Sequence, residues 1–152
     1  MEITAISELV RFQNDRGLTN QEFKLGDELT NILEEVIETR GLKSKDARRR
    51  AEVMSNEIMR IGEESIETDI VDAFADIITF AIGSLNKIGY DPELVLVEVG
   101  KEVNSRTGDM INGKFIKHET EEAKSGWYKA NYEKCKYDAK ENNDWCYKKE
   151  DT

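Results

Sequence analysis

The sequence has little proline, cysteine and histidine: its 152 residues include one proline, two cysteines and one histidine. So little proline, with frequent Glu, Lys and Ala, favours helices and counts against a β-sandwich or a barrel. Cys135 and Cys146 form no CxxC pair, so we expect reduced thiols and no structural zinc site. One histidine also excludes the two Glu-x-x-His pairs of a ferritin-like di-iron bundle.

Positively charged residues are also scarce relative to negatively charged ones. The chain has 22 Lys and Arg against 32 Asp and Glu, a formal net charge of −10. A surface this acidic repels phosphate backbones and anionic lipid, so we expect neither a nucleic-acid polymer nor a membrane as partner. A small phosphorylated ligand remains compatible, because a divalent cation can lie between carboxylates and phosphate.

Long apolar runs are also missing. The longest, residues 70–85, is interrupted by Asp72 and Asp76 and is shorter than the roughly 20 residues that span a bilayer. The first residues show no basic leader followed by an apolar core, so we expect no signal peptide and a cytoplasmic location.

Capping residues and glycines predict five helices followed by a segment of different composition. The predicted helices cover residues 3–14, 19–41, 44–62, 68–89 and 91–107. Thr19 to Glu22 has the capping-box pattern, and Asp91-Pro92 combines a capping acid with proline at the first helical position. After them we expect a loop or small hairpin around Asn112-Gly113 and an amphipathic helix around Trp127 to Lys140. The predicted fold is all-α: a bundle of four to five helices over residues 1–108, with 109–152 as an irregular appendage of the same domain.

The fourth predicted helix carries an acidic stripe on an otherwise apolar surface. At about 100° per residue, Asp69, Asp72 and Asp76 lie on one narrow line along it. A helix that is apolar nearly all round indicates a buried central helix. Buried carboxylates must be neutralised, paired or bound to metal. Pairing with Arg or Lys of a neighbour, or a place at a subunit edge, is the alternative.

The second predicted helix carries three glutamates opposite its apolar face: Glu34, Glu35 and Glu38. Glu35 and Glu38 are three residues apart and therefore neighbours on the helix surface. Alone, such a cluster is typical of a solvated face. Two facing helices that each present close carboxylates would instead form an oxygen-only site, which suits Mg²⁺ or Mn²⁺.

Five segments in order resemble one family, the all-α nucleoside triphosphate pyrophosphohydrolases of the MazG and phosphoribosyl-ATP pyrophosphatase type. EEVIE at residues 34–38 resembles the EExxE motif, and DAFADII at 72–78 resembles the DALADIL form common in phage and bacterial members. GYDPE at 89–93, KEVNSR at 101–106 and GKFIK at 113–117 resemble the GxDPE, KxxN and GKxxK segments.

The similarity covers roughly residues 8–132 and departs from the family at one point. The familiar second motif is ExxD, whereas Ala73 stands three residues before Asp76. The nearest acids are Asp72 and Asp69, and which of them replaces the missing glutamate stays open.

The resemblance implies a MazG-like homodimer or homotetramer that cleaves the α–β anhydride of a (d)NTP to (d)NMP and pyrophosphate. Such an enzyme controls nucleotide pools and, if phage-encoded, acts in the host cytoplasm. The implied cofactor is Mg²⁺, with Mn²⁺ as a substitute, on Glu35, Glu38, Asp72 and Asp76. Glu34, Glu35 and Glu38 are the implied catalytic residues, Glu34 as base or ligand. The implied phosphate contacts are Lys101, Asn104, Arg106, Lys114 and Lys117, for which ordinary surface positions are the alternative.

The histidine, the arginine run and most of the aromatic residues are expected to have structural roles. We expect His118 to be a loop residue and Arg48-Arg49-Arg50 to be a solvated face with local salt bridges. The aromatic residues Trp127, Tyr128 and Tyr132 are expected to pack on the bundle, with stacking on a base or covering the site in a partner subunit as the alternative. Phe12 and Gln13 are candidates for a base pocket.

Two functions of other classes stay open. The chain could be a metal- or nucleotide-binding regulatory module without catalysis, because the second motif is altered. It could also be a structural helical adaptor whose acids are salt-bridged.

Overall fold

The computed structural model describes residues 4–112 and 114–137, without the side chains of Ser44 and Lys114. The helices of this part are α1 (Ala5–Asp15), α2 (Leu25–Glu38), α3 (Ser44–Arg60), α4 (Glu67–Lys87), α5 (Pro92–Ser105) and α6 (Glu121–Ser125). The strands are β1 (Gly108–Ile111) and β2 (Lys114–Lys117), and 3₁₀ turns cover Leu18–Asn20 and Glu133–Cys135. The mainly helical class predicted from the sequence is confirmed. No helix in this part of the chain is long and apolar enough to cross a membrane.

Several predicted helix ends are confirmed in detail. The Asp91 carboxylate accepts hydrogen bonds from the amides of Glu93 and Leu94, and Pro92 is the first residue of α5. Glycines with positive φ follow the predicted helix ends, because only glycine adopts the left-handed region without strain. They are Gly17, Gly41, Gly62 and Gly89.

The capping box predicted at Thr19 is wrong. The Thr19 hydroxyl donates to Asn14 Oδ1 at 3.0 Å, residues Leu18–Asn20 form a 3₁₀ turn, and α2 begins only at Leu25. A capping box does occur at the start of α1, where Thr4 and Ser7 satisfy each other's backbone amides.

The helix predicted from Trp127 to Lys140 is also wrong over the described residues. Residues 127–132 are irregular and lead into the 3₁₀ turn Glu133–Cys135, while 138–140 lie outside the described residues. Side-chain oxygens of α5 accept hydrogen bonds from the backbone amides that would otherwise donate within a helix. Tyr128 N donates to Ser105 Oγ, Ala130 N to Glu102 and Asn131 N to Glu98.

The described chain forms two units, of which the second spans Glu22–Ile70. In it α2 and α3 pack antiparallel, with Thr30 Oγ1 and Ser55 Oγ 2.6 Å apart. The helices approach closely because the facing positions are small: Ala47 and Ala51 are fully buried. The helix pair therefore holds the α2 glutamates on a rigid support.

The first unit consists of the described residues up to Gln21 and those from Val71 onward. In it α1 packs on α5, where Asn104 Nδ2 donates to the Glu8 carbonyl oxygen at 3.2 Å. β1 and β2 pair antiparallel with Gly108 opposite Lys117, so of the loop and the small hairpin expected here the hairpin is the one present; Gly113 lies outside the described residues. Cys135 is a buried free thiol, as expected, whereas Cys146 lies outside the described part.

The predicted burial of α4 is wrong for the single chain: none of its residues is buried. Val71 is 63% exposed, Ile78 58% and Phe80 75%. Within the first unit α4 has no extensive packing partner among the described elements. An apolar helix indicates that something covers it, and the described residues of this chain do not provide the cover.

Candidate functional site: two carboxylate groups and a cationic, aromatic cavity

The glutamates of α2 differ in their surroundings. Glu34 is half-buried and accepts from Arg48 Nη1 at 2.9 Å, and the same nitrogen donates to Asn31 Oδ1 at 2.7 Å. Glu35 and Glu38 make no ion pair or side-chain hydrogen bond with any residue that the structure describes. Glu34 is therefore oriented by a cation of the protein, and the other two carboxylates are not.

The pKa of Glu35 is raised above its ordinary value. Partial desolvation of the carboxylate is the main cause, followed by the negative charges of Glu38 and Glu34. A neighbouring cation would reverse this effect, because it favours the ionised form. The arrangement of Glu35 and Glu38 is thus electrostatically incomplete and suited to accept a cation.

The aspartates of α4 lie along one line of that helix, as predicted. Asp69, Asp72 and Asp76 are exposed, and none makes an ion pair within the described part of the chain. Asp72 and Asp76 are one turn apart, so their side chains leave the helix on the same face.

The two groups of acids are described in separate units. The three glutamates belong to the second unit, and Asp72 and Asp76 to the first. Among the residues that the structure describes, no group of three or more His, Cys, Asp or Glu is arranged to hold a metal ion. A shared Mg²⁺ or Mn²⁺ site therefore stays a prediction. Its oxygen-only donors are of the kind that hard cations prefer.

Two of the predicted phosphate contacts have partners within the protein. Lys101 Nζ donates to Glu98 Oε1 at 3.2 Å and lies 5.7 Å from the centre of the Tyr128 ring. Asn104 Nδ2 donates to the backbone oxygens of Glu8 and Gly100, which anchors α1 on α5. Both side chains have structural roles in the first unit.

The structure brings two other predicted phosphate contacts together. Arg106 Cζ lies 5.9 Å and Lys117 Nζ 5.8 Å from the centre of the Trp127 ring. Arg106 is also paired with Glu102, four residues earlier in the chain. The side chain of Lys114 lies outside the described residues.

A cavity of about 370 Å³ opens next to these two cations. We call it the hairpin cavity; its lining residues are Phe12, Arg106, Phe115, Ile116, Lys117 and Glu119. Phe12, a candidate for a base pocket, is thus part of a cavity wall, whereas Gln13 is exposed and not among the lining residues.

The other residues considered in the sequence have structural roles. His118 follows β2 on an exposed segment and its ring nitrogens contact Thr107 and Asp109, as expected for a loop residue. Arg48 pairs with Glu34 and Glu52, whereas Arg49 and Arg50 are exposed.

One site was missed by the sequence interpretation: a buried carboxylate at Glu98. Its oxygens accept from the Tyr128 hydroxyl at 2.5 Å, from Asn131 N at 3.0 Å and from Lys134 Nζ at 2.5 Å. These groups, the Asn131 amide foremost, hold the pKa of Glu98 far below its usual range despite burial. The available signal was a single charge inside the apolar run LVLVEV at residues 94–99.

Comparisons with known proteins add no assignment. No protein-family model, no curated protein and no solved structure matches the chain.

Proposed function

We propose that the chain is a Mg²⁺-dependent nucleoside triphosphate pyrophosphohydrolase that releases pyrophosphate from a (d)NTP. One observation carries the proposal: Glu35 and Glu38 are adjacent carboxylates without a cationic partner in the described chain, and the pKa of Glu35 is raised. The ordered resemblance of five segments to the MazG-type enzymes supports the same reaction.

The side chains proposed as ligands are of the chemical type that a divalent cation prefers. Glu35 and Glu38 on α2, with Asp72 and Asp76 on α4, offer carboxylate oxygens and no competing thiol or imidazole. When bound, such an ion neutralises charge on the triphosphate and lowers the pKa of a coordinated water.

The chain's own groups would complete the reaction. The oxygen of water bonds to one phosphorus of the α–β anhydride, the bond from that phosphorus to the bridging oxygen breaks, and the group on the other side of the bridge leaves with the electron pair. A carboxylate of α2 accepts the water proton. Because Arg48 already holds Glu34, we assign Glu34 to orient the neighbouring groups or accept this proton, and Glu35 and Glu38 to contact the ion.

We further propose that the active form is a homo-oligomer in which a second copy covers α4. The exposed apolar side chains of this helix include Val71, Ile77, Ile78, Phe80 and Ile82. Val71, Ile78 and Ile82 are seven and four residues apart and therefore share one face of the helix, and an exposed apolar face of this kind marks an interaction surface. A second copy is the simplest partner, because its own α4 offers the same apolar surface and satisfies both copies at once.

The proposal is tested by pyrophosphate release. Wild-type protein with Mg²⁺ or Mn²⁺ and each of the eight common (d)NTPs should release pyrophosphate and the monophosphate from at least one of them. Glu38→Gln should lower the rate at least about 100-fold, as expected when a ligand of the metal is lost. Glu28→Gln is the matched control, since it removes a glutamate of the same helix outside the proposed site.

Three results would contradict the proposal. They are no release from any (d)NTP, release that does not need a divalent cation, and a rate in Glu38→Gln that stays close to the wild type. The first, with metal binding retained, would favour the regulatory module. Absence of metal binding as well would favour the structural adaptor.

A further inference from the structure

A groove in the second unit lies between the end of α2 and the first half of α3. Its volume is about 790 Å³. Four apolar side chains line it: Ile37 of α2, Leu42 of the connecting loop, and Val53 and Met54 of α3. All lining residues belong to the unit Glu22–Ile70, so this unit forms the groove by itself.

Three arginines complete the lining, and we call the site the arginine groove: Arg40, Arg49 and Arg50. The chain has eight arginines, and the structure describes all of them. The side chains of the other five have partners, which are glutamates for Arg11, Arg48, Arg60 and Arg106 and backbone oxygens for Arg16. The side chains of the three groove arginines make no ion pair or hydrogen bond with any described residue. In a chain with net charge −10, the arginines without a partner in the described part thus all line one groove.

The apolar lining of the groove is not hidden beneath the arginine side chains. Arginine often lays its methylene groups over apolar neighbours and so shields them from water. Here Val53 remains 60% exposed and Met54 44% exposed. Exposed apolar surface among guanidinium groups without acceptors indicates a ligand that offers both apolar surface and negative charge.

The arginine groove lies on a different side of α2 from the carboxylates of the proposed metal site. At about 100° per residue, Ile37 is about 200° around the helix from Glu35 and about 100° from Glu38. Neither glutamate is among the lining residues of the groove. The groove is therefore a second surface of this unit, with a ligand of its own.

We propose that the arginine groove binds an acidic amphipathic helix of a partner protein. An apolar groove between two helices holds such a helix by its apolar face, and an arginine cluster recognises the acidic side chains that flank this face. The apolar contact supplies binding free energy, and the charge pairs supply specificity and fast association. The net charge of the chain does not prevent this, because exposed charges act over only about 8 Å at physiological ionic strength. The proposal goes beyond the proposed function and does not depend on it.

A designed peptide tests the groove directly. The probe is a fluorescein-labelled helical peptide with leucines at the i, i+3, i+4 and i+7 spacing and glutamates beside them. We expect fluorescence anisotropy to show saturable binding by the full chain in EDTA, and added salt should weaken it. A peptide of the same composition in scrambled order, and one with lysine in place of glutamate, should each bind at least about ten-fold more weakly.

Two groove variants have matched controls on the same helix. Arg49→Gln combined with Arg50→Gln should weaken peptide binding about ten-fold, and Met54→Ser should weaken it several-fold. The controls Arg60→Gln and Ile61→Ser change an arginine and an apolar residue at the end of α3, outside the groove, and should leave binding unchanged. All of these side chains are exposed, so the fold should stay intact, which circular dichroism verifies.

Several outcomes would overturn the inference. They are no saturable binding of the acidic peptide, equally tight binding of the scrambled peptide, and equal effects of the groove variants and their controls. Binding of anionic lipid vesicles that the arginine variant loses, without peptide binding, would assign the groove to a membrane instead. Weaker self-association of that variant in sedimentation velocity would assign it to a second copy of the chain and would equally contradict the proposal.

Failure of the proposed function would look different. If the wild type hydrolyses no triphosphate, peptide binding still decides the inference about the groove. Glu38→Gln should keep peptide binding, and the double variant of Arg49 and Arg50 should release pyrophosphate at the wild-type rate. A loss of turnover in that double variant would place the arginines in the enzyme site and contradict a separate docking surface.

Discussion

Two glutamates of this chain show how surroundings decide what a carboxylate does. Glu98 is buried among donors, and its pKa is strongly lowered; Glu35 lies beside two other acids, and its pKa is raised. The first is a structural anchor for residues 128–134, and the second is an acid that lacks a cation. Residue type alone does not distinguish these roles, because the donors of Glu98 come from residues about thirty positions away.

At the residue scale, Glu38→Gln should lower the pKa of Glu35 toward its ordinary value. Removing the neighbouring charge eliminates one cause, while desolvation remains. A raised folded-state pKa means that ionised Glu35 costs stability above that pKa and nothing well below it. The variant should therefore be more stable at neutral pH, by about 0.3 kcal/mol. Carboxyl NMR titration measures the pKa of Glu35, and urea unfolding measures the stability. The control Glu28→Gln should leave the pKa of Glu35 at its wild-type value. If Glu38→Gln also left that pKa unchanged, the coupling between Glu35 and Glu38 would be refuted.

Glu98→Gln should destabilise the chain in a pH-dependent manner. The folded-state pKa of Glu98 lies below the unfolded value of 4.5, so its ionised form stabilises the fold fully above that pH. This contribution declines as the pH falls below it. Melting curves should therefore show a lower Tm for the variant at pH 7 and a smaller difference at pH 3.5. The control Glu93→Gln changes an exposed glutamate of the same helix and should neither lower the Tm nor show this pH dependence. If the Tm difference between Glu98→Gln and the wild type were the same at both pH values, the link between the ionisation of Glu98 and stability would be disproved.

At the scale of elements, local signals predicted helices and turns whose causes are themselves local. The Asp91 cap with Pro92, the helix-ending glycines and the hairpin depend on neighbours within a few residues. The start of α2 and the segment after Trp127 were predicted wrongly because distant or competing partners decide them. Thr19 bonds back to Asn14, and α5 side chains take the amides of residues 128–131.

Gly108→Ala should disrupt the hairpin. A Cβ atom there would lie 2.3 Å from the Ile116 carbonyl oxygen and 2.7 Å from Phe115 Cζ, so strand β2 and the cavity wall must move. We expect a loss of about 1–3 kcal/mol in urea unfolding, typical of overpacking.

Gly83→Ala is its control, since a Cβ at that helical position meets nothing within 4 Å. It should stabilise the chain by up to about 1 kcal/mol through helix propensity. Equal and small effects of the two substitutions would show that the close approach at Gly108 does not constrain the hairpin.

At the scale of the whole molecule, α4 is the feature that the described part of the chain leaves unexplained. Its pattern predicted burial, and the acids on it predicted a metal site, yet none of its residues is buried. The sequence shows which residues are apolar but not which chain covers them. The same holds for the site, since the sequence identifies the carboxylates but not the distance across which they act.

Phe80→Glu should weaken self-association. Phe80 is 75% exposed, and an oligomer that covers α4 would desolvate the new charge. Sedimentation velocity should show a dimer or tetramer for the wild type and an increase of about ten-fold or more in the dissociation constant for the variant. Val10→Glu changes an exposed apolar residue of α1 and should leave association unchanged. A monomeric wild type, or identical association in Phe80→Glu, would refute the interface.

The most direct test of the account is a double-mutant cycle on Mn²⁺ affinity, measured by electron paramagnetic resonance or calorimetry. Glu38→Gln and Asp76→Asn should each weaken Mn²⁺ binding about ten-fold or more. In the double variant the affinity for Mn²⁺ should fall by clearly less than the product of these two factors. That non-additivity shows carboxylates of α2 and α4 acting on one ion. Wild-type protein that binds no Mn²⁺, or two substitutions whose effects are absent or strictly multiplicative, would contradict the shared site.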